Sequence, residues 1–102
     1  MNKIILSTYL AFLSVNAFAA ELNLNSVSYV YEIGESNTFD FSSGPTHECG
    51  TNLYRVSSPS ADSVNRKFSL VLSAFMADKK LIVNTEVCTG NRMKVSWIRL
   101  TN

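Results

Sequence analysis

The sequence is poor in most residues that announce chemistry. It holds one histidine, two cysteines, four glycines and two prolines among 102 residues. The glycines, Gly34, Gly44, Gly50 and Gly90, are scattered, so neither phosphate-cradling glycine pattern, G-x-x-x-x-G-K or G-x-G-x-x-G, occurs. There is no H-E-x-x-H, and none of the many serines sits in G-x-S-x-G. Two cysteines are too few for a four-cysteine zinc site or a disulfide-dense miniprotein. No second ligand type clusters with the lone His47, so no metal site and no cofactor are expected. The net charge is only +1, which lacks the basic excess of a nucleic-acid-binding chain. At 46% hydrophobic the chain is too apolar for intrinsic disorder. The length suits one small domain. With these constellations missing, the chain is expected not to be an enzyme.

What is present begins with an address. Lys3 precedes an apolar run over residues 4–15, and Ala17-Phe18-Ala19 supplies the small-x-small pattern that signal peptidase reads. The run is shorter than the roughly 20 residues a membrane span needs. Residues 1–19 are therefore expected to be a signal peptide, and residues 20–102 a single secreted or periplasmic domain without a transmembrane segment. No cysteine follows the cleavage site to carry a lipid anchor. Lys3 leaves with the signal, so nine bases become eight and match the eight acids. Their distribution is uneven. Acids predominate over residues 20–62 and bases over residues 63–102. Such halves can pair within one fold or between neighbouring subunits.

Both Cys49 and Cys88 lie in the exported part. An even count in an oxidising compartment implies a bridge between them. Closing a loop of roughly 40 residues is worth about 4 kcal/mol in the chain-entropy account, which matters to a core this small.

Along the chain, residues 21–26 read as a polar entry segment. Val27, Tyr29, Tyr31 and Ile33 alternate with smaller or polar residues, the period of a half-buried strand. Residues 34–37 carry turn chemistry, and Thr38-Phe39-Asp40-Phe41 reads as its hairpin partner. Residues 42–46 read as a loop, and residues 53–56 as a third short strand. Either Ser58, with Pro59 at the first helical position, or Ser60 can cap a helix. Val64, Phe68, Val71, Leu72 and Phe75 share one helical face, and Leu70, Ala74 and Ala77 widen it. Lys79 and Lys80 are placed at the negative helix end. Residues 81–87 and 95–100 read as a hairpin closed by a turn over residues 88–92. The expected order is β-β-β-α-β-β, an α+β, mainly β architecture.

The layout over residues 58–102 includes the helix NRKFSLVLSAFMADKK, the strand LIVNTEVC, the turn TGNR and the strand MKVSWIRLTN. In element order, cysteine placement and size this stretch resembles the binding (B) subunits of pentameric bacterial toxins, of the cholera and subtilase-cytotoxin types. The resemblance implies a small OB-like antiparallel barrel with one long helix and one disulfide. It also implies a homo-oligomer, a ring of five, that binds cell-surface glycans and carries a toxin A subunit or other protein partner. Sugar sites pair an aromatic platform with short polar groups. Tyr31, Ser42, Ser43 and Trp97 are the residues expected to meet the ligand. The alternative is a periplasmic protein-binding accessory or enzyme inhibitor, with the loop over residues 42–48 as its inserted element.

Overall fold

A computed structural model describes residues 20–101. The expected signal peptide, residues 1–19, lies outside the described residues. Six strands and one helix follow in the order β1 (Ala20–Leu24), β2 (Val27–Glu32), β3 (Thr38–Ser43), β4 (Leu53–Ser57), α1 (Ala61–Ala77), β5 (Lys80–Thr89) and β6 (Arg92–Thr101). The strands make one sheet in the order β1-β5-β6-β4-β3-β2. Among the described residues the fold is mainly β, with one helix and one disulfide, as the sequence predicts.

Several expectations need correction. Residues 20–24 are a strand, not an entry segment. Leu22 and Leu24 point toward the core while Glu21 and Asn23 face outward, and the segment pairs antiparallel with β5 from Ala20↔Thr85 to Leu24↔Leu81. The sheet is not wholly antiparallel, because β4 and β6 run parallel through Tyr54↔Met93 and Arg55↔Lys94. The α1 crossover makes this possible: β4 leads into the helix, β5 returns, and β6 turns back beside β4. β1 and β2 are the two edges, so the sheet is open rather than a closed barrel.

Ser60, not Ser58, caps the helix. Its hydroxyl accepts the Ser63 N–H at 3.2 Å, while the Ser58 hydroxyl accepts the Ser60 N–H at 3.1 Å. The helix stops at Ala77. Asp78 takes a left-handed conformation at φ 53°, and the Lys79 N–H returns to the Ala74 carbonyl at 2.9 Å. Lys79 and Lys80 therefore lie beyond the last turn, and Lys80 already opens β5. Gly90, at φ 63°, takes the first central position of a two-residue hairpin turn, a place that favours glycine. β5 and β6 extend to this turn and are longer than the sequence pattern suggests.

One face of the sheet carries the core. Phe39, Phe41, Tyr54, Val56, Leu81, Val83 and Val95 pack there against Val64, Val71 and Ala74 of the helix. Phe39 meets Phe68 edge-on at 5.1 Å, and Phe41 stacks on Tyr54 at 5.3 Å. The Cys49–Cys88 disulfide ties the loop before β4 to the end of β5. Among the described residues no helix is long and apolar enough to cross a membrane.

Candidate functional site

Side chains alternate across a strand. Phe39 and Phe41 face the helix, so Asp40 and Ser42 occupy the opposite face of β3. By register Asp40 lies opposite Tyr31 of β2 and Arg55 of β4. The parallel pair then brings β6 alongside β4, and with it Arg92 and Lys94.

Asp40 is completely shielded from solvent. Its Oδ1 accepts from Arg55 Nε at 2.8 Å, and its Oδ2 accepts from Arg55 at 3.0 Å, Arg92 Nε at 2.8 Å and the Tyr31 hydroxyl at 3.3 Å. Burial alone pushes the Asp40 carboxyl upward. The hydrogen bonds and charges of Arg55 and Arg92 outweigh it and hold the group below the ordinary aspartate value. Both guanidinium groups are stabilised in return, chiefly by Asp40. Two cations thus share one carboxylate and leave one positive charge in excess. The Arg55 and Arg92 side chains are 18% and 28% exposed, so the cluster reaches the surface. Tyr29 lies beside it, 48% exposed, with its ring 5.7 Å from that of Tyr31.

The four residues expected at a ligand surface do not form one site. Tyr31 belongs to the arginine cluster. Ser42 and Ser43 lie in β3 rather than in a loop, and both are fully buried, so neither faces solvent. The Ser43 hydroxyl donates to the Ser26 carbonyl, and its N–H to the Asn52 carbonyl at 3.1 Å. Ser42 Oγ has no hydrogen-bond partner, the one such buried side-chain atom among the described residues. Trp97, 38% exposed, sits on β6 opposite Asn84 with the Arg99 guanidinium 5.6 Å from its ring centre. Three strand spacings separate β6 from β2, about 14 Å.

Asp40, Arg55 and Arg92 were not singled out from sequence. They are far apart in the chain, and each reads as an ordinary strand charge. One signal was available: in Thr38-Phe39-Asp40-Phe41 a lone acid sits between two phenylalanines, and a buried acid needs a cation.

The acidic and basic halves pair internally in part. Arg92 meets Asp40, and Arg99 approaches Glu21 at 3.7 Å. His47 is held by backbone on both ring nitrogens. Nδ1 accepts the Cys49 N–H at 3.1 Å, which leaves Nε2 to donate to the Leu53 carbonyl at 2.6 Å. The imidazole meets Tyr54 edge-on at 4.9 Å. It thereby shapes the loop that carries Cys49. Among the described residues no three His, Cys, Asp or Glu side chains are grouped to hold a metal ion.

Comparison with family models, curated proteins and solved structures returns no match for this chain.

Proposed function

We propose that the protein is an exported binding module of the toxin-B-subunit kind, which takes an acidic glycan on the sheet face opposite α1. The carrying observation is the pair Arg55 and Arg92 around one buried carboxylate. Asp40 fixes both forks in place and cancels only one of the two charges. A carboxylate or sulfate on the ligand would supply the missing anion through charge-assisted hydrogen bonds. Tyr29 and Tyr31 would supply the aromatic surface on which the apolar face of a sugar packs.

Self-assembly belongs to the same reading. Leu72, Phe75 and Met76 leave an exposed apolar stripe on α1 beside its buried face, with Met76 77% exposed. An exposed stripe next to the core side is what a neighbouring copy would cover. In the ring that the resemblance implies, the free edges β1 and β2 would close the sheet into a barrel or pair between subunits. The disulfide fits export to an oxidising compartment.

A glycan array probed with residues 20–102 tests the reading. Signal on acidic glycans, reduced at least tenfold by Arg92→Gln in a variant that melting shows to be folded, supports it. An array without signal removes the lectin function. Co-purification with one protein as a monomer would favour the accessory or inhibitor alternative instead. The exposed Gly44, Pro45, Thr46 and Glu48, on a loop pinned by the disulfide and His47, would then be the inserted element.

A further inference from the structure

A concavity lies on the helix side of the sheet. It is a cleft of about 450 Å³ between the β2–β3 turn and the start of α1. Its floor is apolar. Phe39 and Val64 are buried core residues, and Phe68 closes on Phe39 edge-on. Glu32 and Glu35 stand at its rim beside the amides of Asn37 and Asn65. Among the described residues no lysine, arginine or histidine lines it.

Among the described residues neither Glu32 nor Glu35 forms a salt bridge. Arg55 feels the charge of Glu35, but its guanidinium is committed to Asp40. Glu32 accepts the Gly34 N–H, which orients its carboxylate. Asp62 in the first helical turn offsets the positive end of α1.

The walls are preformed. The Asn37 side chain donates to the Pro59 carbonyl at 3.4 Å, and the Ser58 N–H donates to the Asn37 carbonyl at 3.4 Å. Thr38 Oγ1 donates to the Ser36 carbonyl at 2.9 Å. These bonds pin the turn to the segment that leads into the helix. A pinned concavity of this volume, apolar below and polar at the mouth, falls in the range of small-molecule sites.

We propose that this cleft binds a small organic cation: an amine, protonated or quaternary, carried on an apolar or aromatic body. The body loses water against Phe39, Val64 and Phe68. The ammonium meets the two carboxylates at the rim. An anion of the same shape is repelled, and a neutral one forgoes the charge. Phe39 and Asp40 are neighbours on opposite faces of β3, so this site is separate from the arginine cluster and stands whether or not that cluster binds a sugar.

Benzylamine is a suitable probe, with benzoate and benzyl alcohol as controls, followed by amide chemical shifts of residues 20–102 at neutral pH. So small a probe binds on the order of millimolar. The expected result is saturable shifts at Asn65, Phe68 and residues 34–38 with benzylamine and none with benzoate. Glu35→Gln weakens the response severalfold, and Glu32→Gln with Glu35→Gln weakens it about tenfold or more. Melting temperatures report whether each variant is folded, and the single Glu35→Gln variant leaves the Glu32–Gly34 contact intact. Arg92→Gln leaves the amine shifts in place, which separates this site from the glycan reading. Equal response to benzoate, no response to benzylamine at tens of millimolar, or unchanged affinity in the double variant overturns the proposal. Shifts that follow protein concentration and resist benzylamine also overturn it, because a second copy would then fill the cleft.

Discussion

At the scale of single residues the account turns on Asp40. Removing one partner of a buried charge cluster strands the others. Asp40→Asn keeps the shape but leaves Arg55 and Arg92 as neighbouring like charges. Its expected cost is about 3 kcal/mol, at the low end of the range for buried pairs because both arginines are partly solvated. Urea unfolding at neutral pH measures it. The pH dependence has a definite sign. The folded Asp40 pKa lies below its unfolded value of about 3.9. Its stabilisation is therefore complete above that value and is lost as pH falls through the folded one. The wild type should lose stability in acid by this route, and Asp40→Asn should lose less. The adjacent serines make a sharper comparison. Ser42→Ala removes a buried hydroxyl that has no partner, so stability should hold or rise slightly. Ser43→Ala removes a donor to the Ser26 carbonyl and should cost about 1 kcal/mol. Equal losses in the two variants would contradict the assigned hydrogen bonds.

At the scale of elements, much of the fold was legible because alternation and helical periodicity are strong local signals. β2, β3, β4, α1 and the β5–β6 hairpin follow from them, and the disulfide follows from an even cysteine count taken with the expected export. β1 was hidden because it is a short edge strand with only Leu22 and Leu24 facing inward. The helix end was misplaced because Asp78 takes a left-handed turn, which a non-glycine residue does not advertise. Ser42 and Ser43 look like loop residues by composition. Strand pairing with Val27 and Tyr29 overrides that preference. The candidate site was less legible than the fold. Tyr31 was recognisable as a strand aromatic, but the arginines reach Asp40 only through the β3–β4 register and the parallel β4–β6 pair. Two predictions belong here. Ser60→Ala should cost about 1 kcal/mol through loss of the helix cap. Met76→Lys combined with Leu72→Gln should leave the melting of the isolated chain nearly unchanged and reduce self-association in sedimentation, since both side chains are exposed.

At the scale of the whole molecule, one small sheet presents two chemically opposite faces. The face away from α1 offers arginine and tyrosine around a buried acid. The helix side offers an apolar cleft with an acidic rim. The bridge that ties the loop before β4 to β5 closes 39 residues of chain, and replacing both cysteines by alanine should lower stability by about 4 kcal/mol. The central claim concerns the arginine face, and a side-chain titration reads it directly. Labelled residues 20–102 are titrated with a matched pair of sugars, one bearing a carboxylate and one neutral, while the Nε–H signals of Arg55 and Arg92 are followed. The account predicts saturable shifts of both arginine signals with the acidic sugar and little change with the neutral one. Arginine signals that stay still under both sugars, or move equally with each, would contradict it.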